Sequence, residues 1–448
     1  MQTIDKKYDW CVKGFDSLEK SLNGESRSTI HAIRKHALAR FIELGFPTNH
    51  NEEWRFTNIA PIRNAQFHPA FHRTENQITN AQLNSLFVTD DNSTKLVFVN
   101  GHFAENLSII PASVKGLKVG SLASALRNGD PIVNRHLSHH ASIENNAFVA
   151  LSTAFILDGA FVEIGDGVSL DEPIECLFLT VGSSQTLISN PRNLFVVGKR
   201  SKGTIVESYV ALDQGLYLDN VVTEIIVGED SVVEHDKLEM EGENAYHVGT
   251  IQIHQSARSN YTNNVISVGS KTVRNNITVV LADQGAEATL NGLSIGTGDQ
   301  LIDSHTTIDH TMPNCTSHEL YKSVLDGRAK GVFNGKIFVR QDAQKTDAKQ
   351  TNKTLLLSDE ATINTKPQLE IFADDVKCTH GATVGQLDEE QVFYLRSRGI
   401  GERAARDILT FAFASDVVDR VHTDSLRERL RDLIDDRLET GRNVGRTN

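Results

Sequence analysis

The sequence is poor in several things at once. In 448 residues it has two tryptophans, three methionines and nine prolines, and aromatics make up only 6%. Two tryptophans cannot supply the Trp-Asp signature that a propeller repeats roughly every 40 residues. No run of about 18 apolar residues exists, so no membrane-spanning helix is expected. The Met1 to Lys7 stretch lacks an apolar signal core. The four cysteines, Cys11, Cys176, Cys315 and Cys378, form no C-x-x-C pair. They are too few and too scattered for a disulfide framework and suit a reducing compartment, so a cytoplasmic location is expected. Positive charge is in deficit, with 45 Lys and Arg against 58 Asp and Glu, a formal net charge of −13. Such a chain repels phosphate backbones, and nucleic-acid binding is not expected. The basic stretch from Arg427 to Arg437 is interleaved with acids and reads as a solvated helix face.

Nucleotide and hydrolase signatures are missing too. Gly331-Val-Phe-Asn-Gly335-Lys336-Ile337 is one residue short of a phosphate loop and has Ile where Ser or Thr must hold magnesium. No G-x-S-x-G elbow or H-E-x-x-H helix occurs. Any ATP-driven work is expected to fall to another subunit.

What is present falls into three textures. Apolar residues make up 39%, enough for a large core. Residues 1–94 read as helical. Ile30, Ile33, Ala37, Phe41 and Leu44 recur at steps of three and four, with Ser28 as N-cap and Gly45 and Pro47 as the stop. The aromatic pair in Glu52-Glu53-Trp54-Arg55-Phe56-Thr57 is expected to pack a domain junction. Residues 95–385 read as short strands separated by Gly, Asp and Asn, with no long helical interruption, which argues against a βαβ fold. Gly228, Gly249, Gly269 and Gly292 stand 21, 20 and 23 residues apart. Spacings of 20 to 25 residues suit a solenoid whose coils bury their faces against one another. The fold expected is mainly β, a parallel β-helix core with helical N-terminal and C-terminal regions. Residues 386–448 turn helical again. Asp388 caps the first helix. Ile408, Leu409, Phe411 and Phe413 load the second with apolar residues, and Leu426 and Leu430 begin an amphipathic stripe on the third. This unit either covers the open end of the solenoid or serves as a docking handle.

Two clusters could carry chemistry. Asp303, His305, His310, Cys315, His318 and Glu319 lie close together, but their spacing matches no zinc pattern, and polar ladders between strands explain them. Val376-Lys-Cys378-Thr-His380 puts a thiol and an imidazole on one face of a strand. Together they suit a soft or borderline metal such as iron. Two ligands cannot close such a site, and an inward-facing, inert pair is the alternative. A β-helical carbohydrate-active enzyme would need paired carboxylates in a groove. Asp374-Asp375 would point to opposite faces of a strand and makes a poor pair.

The stretch from Leu301 to Ile400 resembles the SufB/SufD family of iron–sulfur cluster assembly scaffolds. The residues that carry the resemblance are Leu320-Tyr-Lys-Ser-Val-Leu-Asp-Gly-Arg-Ala-Lys-Gly-Val-Phe-Asn-Gly-Lys336, Ala343-Gln-Lys-Thr-Asp-Ala-Lys-Gln350, Leu355-Leu-Leu-Ser358 and Lys377-Cys-Thr-His-Gly-Ala-Thr-Val-Gly385, with Glu53-Trp-Arg-Phe-Thr57 near the start. Thr351 stands where SufB-like chains carry an essential Cys, Gly381 where they tend to have Glu, and Cys11 stands alone where many have several cysteines. These departures point to the SufD branch. The resemblance implies a right-handed β-helix and a scaffold that is not a free-standing enzyme. It implies pairing with a SufB-like paralogue through the late β-helix, with self-pairing as the alternative for the isolated chain. It further implies a SufC-like ABC ATPase docked on the C-terminal helices, at Ile408, Leu409, Phe411, Phe413, Leu426 and Leu430. A nascent iron–sulfur cluster would be shared transiently with SufB, with His380 and Cys378 as interface ligands completed by the partner. Reduced flavin is associated with such complexes, but the sequence carries no flavin fingerprint. A SufB-like principal scaffold is the alternative within the family.

Overall fold

The computed structural model describes residues 8–22, 29–71, 78–111, 114–182 and 185–444, with side chains as far as Leu438. Ser28, the expected N-cap, lies outside the described residues. The helices are α1 (Asp9–Ser21), α2 (Thr29–Leu44), α3 (Ala60–Asn64), α4 (Asn80–Leu86), α5 (Leu122–Arg127), α6 (Pro131–His136), α7 (Ala147–Ala154), α8 (Glu389–Ser397), α9 (Glu402–Val418) and α10 (Asp424–Val444). The early strands are β1 (His68–Pro69), β2 (Thr94–Val99), β3 (His102–Phe103), β4 (Leu117–Ser121), β5 (Ala160–Ile164), β6 (Ile174–Thr180) and β7 (Leu187–Ser189). From β8 (Arg192–Val197) and β9 (Lys202–Ala211) onward the chain alternates between two sheets. Next come β10 (Tyr217–Val227), β11 (Val232–Met240), β12 (Tyr246–Gln255), β13 (Asn260–Ser267), β14 (Thr272–Leu281) and β15 (Glu287–Gly296). The last six are β16 (Leu301–His310), β17 (Thr316–Leu325), β18 (Lys330–Val339), β19 (Asp347–Leu356), β20 (Thr362–Ile371) and β21 (Lys377–Gly385).

Sheet 1 runs β20-β18-β16-β14-β12-β10-β8-β5-β4, and sheet 2 runs β21-β19-β17-β15-β13-β11-β9-β6-β2-β3. From β5 and β6 onward every pairing along these two paths is parallel, giving a solenoid of about eight turns. Leu218 stands beside Tyr246, Tyr246 beside Thr272, Thr272 beside Leu301, Leu301 beside Lys330 and Lys330 beside Thr362, so a coil takes 26 to 32 residues. This corrects the glycine spacing of 20 to 25. The four glycines occupy different places: Gly228 and Gly269 follow strands in turns, whereas Gly249 and Gly292 sit inside β12 and β15. A second correction concerns residues 122–154, where three short helices interrupt the strands. They are too brief to show a helical period. Their local signal is confined to the N-caps: Ser121 accepts from the Ser124 N–H, and Asp130 and Asn146 each accept from two backbone N–H groups.

The six turns leading from sheet 1 to sheet 2 between β8 and β19 share one device. Arg200, Asp230, Arg258, Gly285, Asn314 and Lys345 all adopt positive φ, between 53° and 71°. Each stands two residues ahead of the sheet 2 strand that follows. Each donates its backbone N–H to a carbonyl of the next coil, as from Arg200 to Glu229, Asp230 to Ala257 and Arg258 to Gln284. The turns therefore stack into a hydrogen-bonded ladder of left-handed residues.

Helices cover both sheets. The α1, α2 and α7 helices, with Trp54, Ile59, Ile62 and Phe67, pack with Ile188, Leu218, Tyr246 and Val248 on the outside of sheet 1. The line that α2 buries is His31, Arg34, Ala37 and Phe41; Ile30, Ile33 and Leu44 are only half-buried. The stop at Gly45 holds, with φ +65° and its N–H on the Phe41 carbonyl. Trp54 sits at the expected junction, stacked on Phe148 at 5.3 Å and under the Arg274 guanidinium at 4.4 Å; Phe56 points to solvent. On the other side, α9 and α10 lie on sheet 2 through Val206, Leu238, Ile266, Leu293, Leu320 and Val324. The C-terminal unit thus covers the flank of the solenoid and not its open end, contrary to the cover-only expectation. Middle strands are buried on both faces, as in β10, whose Asp219, Asn220, Thr223 and Glu224 are buried along with its apolar residues.

Candidate functional site

The solenoid ends without a lid. Among the described residues β20 pairs only with β18, and β21 only with β19. The register sets Cys378 beside Ala348, His380 beside Gln350 and Ala382 beside Asn352. Ala348 and Gln350 are buried and Ala348 faces the interior. Cys378 therefore lies in the inward column of the final coil, half-buried and packed with Ile337, Val339 and Ala348. His380 follows on the same side but is exposed, because no further coil covers it. The same-face reading of the two residues holds, and the open end separates their environments. Burial pushes the Cys378 thiol up, with Asp347 adding to it, so the group is a thiol until a metal or base takes its proton. Among the described residues no third His, Cys, Asp or Glu joins the pair. Thr351 on β19 stands directly beside Gly381 on the edge strand β21, so two of the departures from the SufB pattern are neighbours at the end of the solenoid.

The other cluster read from the sequence is dispersed. Asp303 is buried, accepts from the Thr57 hydroxyl and pairs with Arg274. Burial pushes its carboxyl up, but Arg274 and His305 outweigh this and hold it at about 2. His305 lies between Asp303 at 3.0 Å and Glu53 at 3.1 Å, beneath the Glu52–Trp54 turn. His310 bonds Ser317 Oγ at 2.9 Å and is lowered to about 4 by burial. Cys315 is buried and donates to the Asp283 carbonyl, and His318 faces solvent. Gly331 to Ile337 lies wholly within β18 and forms no loop.

The proposed docking residues divide. Ile408 is 46% exposed, and Leu409, Phe411 and Phe413 are half-buried. Leu426 and Leu430 are buried against sheet 2 at 0% and 1% exposure. They hold α10 to its own chain and offer nothing to a partner, which corrects their assignment. Phe393 and Tyr394 on α8, missed in the sequence, are exposed at 70% and 58%. An amphipathic pattern marks which residues are apolar but cannot say which apolar face is already taken.

Sequence reasoning also missed a charged interior. Glu207, His235, Lys237, Glu239 and His247 are fully buried inside the middle coils. His235 meets Glu207 at 2.8 Å, and Lys237 meets Glu239 at 2.7 Å and His247 at 2.8 Å. The signal was there in Glu234-His-Asp-Lys-Leu-Glu-Met240, a charged run between two apolar strands, with alternation sending every second charge inward.

The structure is an open-ended parallel β-solenoid, helix-covered on both faces and bearing a thiol and an imidazole on its last coil. Residues 179–413 match the family model described as SUF system FeS cluster assembly, SufBD core domain, and residues 4–176 match that of the SufBD protein N-terminal region. The chain belongs to this SufBD family of iron–sulfur cluster assembly. It is 34% identical over 424 residues to an iron-sulfur cluster assembly SufBD family protein of Synechocystis, covering 92% of each chain. It is 28% identical to the iron-sulfur cluster assembly protein SufD of Escherichia coli, covering 90% of this chain and 92% of that one. It is 29% identical to the chloroplastic protein ABCI7 of Arabidopsis thaliana, covering 93% and 88%. No helix among the described residues is long and apolar enough to cross a membrane.

Proposed function

We propose that this chain is a SufD-type scaffold subunit, not a free-standing enzyme, that pairs with a SufB-like chain and binds a SufC-like ATPase while an iron–sulfur cluster is built. The observation that carries the reading is the uncovered last coil. Its two strand edges present unpaired backbone groups, a surface that invites another chain, and Cys378 and His380 stand on it with no third ligand among the described residues. A partner that covers this end would add the missing ligands, and the cluster would be cargo shared across the junction. Thr351 in place of a cysteine favours the SufD type over a principal SufB-type scaffold. The helical unit 386–448 is the ATPase dock through Phe393, Tyr394 and Ile408, with Leu409, Phe411 and Phe413 behind them. The free cysteines fit a reducing compartment such as the cytoplasm.

The test is co-purification of the tagged chain with its native neighbours, followed by the His380→Ala variant. An ABC-type ATPase and a cysteine-bearing paralogue are expected in the complex. His380 is exposed, so the variant is expected to keep its stability within about 0.5 kcal/mol. Cluster delivery to client proteins should fall on the order of tenfold, the scale of losing a partner in a metal site. Normal client maturation at normal protein level would remove His380 from the site. Cluster binding by the isolated chain would favour the SufB-type reading.

A further inference from the structure

One corner of the middle coils gathers metal-ligating groups that the last coil does not use. Asp219 near the start of β10 and His247 near the start of β12 are direct neighbours in sheet 1, and both point inward. Glu241 follows the end of β11 in sheet 2 and meets them across the corner. One ligand atom from each of these three lies within 4.8 Å of the other two. All are buried, with exposures of 4%, 0% and 4%.

Each of the three has its own supporting partner. Asp219 accepts from the Ser189 hydroxyl and from Thr180 Oγ1 at 3.2 Å. Glu241 accepts from Ser270 Oγ at 2.9 Å. His247 Nδ1 is 2.5 Å from Glu241, and its Nε2 is 2.8 Å from the Lys237 ammonium and 3.2 Å from Glu239. Outer partners of this kind orient first-shell ligands in metal proteins. Two buried carboxylates side by side also repel. A divalent cation between them would relieve that repulsion. A separate observation points to the same spot. The hydroxyl of Tyr217, a residue 3% exposed at the head of β10, has no side-chain hydrogen-bond partner among the described residues, only the Gly242 backbone beside it. Glu241 and Asp219 are the charges that bear on it most.

We propose that Asp219, Glu241 and His247 bind one divalent first-row transition metal ion inside the solenoid, with Tyr217 beside it. Two carboxylate oxygens and an imidazole nitrogen suit Fe²⁺, Mn²⁺, Co²⁺ or Zn²⁺ more than the soft, thiolate-seeking ions. The site stands apart from Cys378 and His380 and does not depend on the scaffold reading. When Nδ1 of His247 takes the metal, the ring proton sits on Nε2 and is donated to Glu239, 3.2 Å away, and Lys237 turns from Nε2 to its other partners, Asn275 at 2.8 Å and Glu239 at 2.7 Å.

The probe is Co²⁺, added to the chelator-treated full chain and also present during refolding, since the site is buried. One equivalent is expected, with the weak visible bands of an oxygen and nitrogen site and none of the intense thiolate charge transfer that Cys378 would give. A rise in Tm of several degrees should accompany it. Asp219→Asn and His247→Gln, checked by circular dichroism, should lose at least 100-fold in affinity. Ser270→Ala and Tyr217→Phe, milder changes that serve if the first two do not fold, should lose about 10-fold. Absence of Co²⁺ after refolding of the wild type, or affinity unchanged in the folded variants, would overturn the proposal.

Discussion

Arg192 and Glu224 meet at 2.7 Å with neither exposed, and Glu224 also accepts from the backbone N–H groups of Ser138, His140 and Ala141. The pair ties the 138–141 loop, which joins α6 to α7, onto sheet 1. Burial pushes Glu224 up, yet Arg192 and the three amides hold it below the usual range. Arg192→Ala leaves this carboxylate without its cation and should destabilise the chain by about 3–5 kcal/mol, read from urea unfolding. Glu319 behaves oppositely. Burial raises it from 4.5 to about 7, against a bond from Gln350. A carboxyl raised on folding binds its proton in the folded state first, so its effect on stability is adverse as pH climbs from about 4.5 to 7. Its slope is at most about 1.4 kcal/mol per pH unit. Glu239 gives the acid limb. Burial works against it, Lys237 and His247 overcome that, and it sits at about 2, so its contribution is full above 4.5 and lost as pH falls toward 2. Glu319→Gln should flatten the decline between pH 5 and 7 and leave the acid limb in place. An unchanged slope would show that another group titrates there. Cys378 and His380 were legible as a same-face pair because strand alternation is a local rule. The interior charges showed only as an alternating charged run in residues 234–240; their burial was not legible, because that of His235 or Lys237 depends on coils about 30 residues away.

Helices and strands divide in the same way. Single strands were legible from β-branched runs, and the end helices from their period. Which helix face meets which sheet was not, since both sheets offer apolar columns. The α10 stripe is spent on sheet 2, where Lys322 also reaches Asp416 at 2.7 Å and the Phe413 carbonyl at 3.0 Å. Leu430→Ala should open a cavity there and destabilise by about 2–5 kcal/mol. Earlier proteolysis within 386–448 is the expected sign of the loosened unit. Ile408→Ser on the exposed face should change stability by less than about 1 kcal/mol while weakening capture of the ATPase. Equal loss of capture in both variants, with α10 still protected, would undo the division between supporting and contacting residues.

The whole molecule is a stack in which each coil meets only its neighbours, so stability runs along one axis. The middle coils, covered by helices on both flanks, are expected to exchange amide hydrogens last. The β20 and β21 strands, half-buried and exposed, should exchange first and gain protection when a partner covers them. Uniform exchange along the stack would contradict this. Solenoid architecture was legible from strand density, but its period was not, because the glycines that suggested it serve turns in two cases and close packing inside strands in the others. The coil is better indexed by its left-handed turn residues, and that indexing carries a rule for length change. Four residues separate β10 from β11 and seven separate β18 from β19, yet the distance from the left-handed residue to the next strand never varies. A residue inserted upstream of Asn314 or Lys345 is absorbed as slack. One inserted downstream shifts the following strand by a single step and turns its inward side chains out. The ladder acts as a phase mark, dividing each turn into a stretch free to drift in length and one in which the frame is locked.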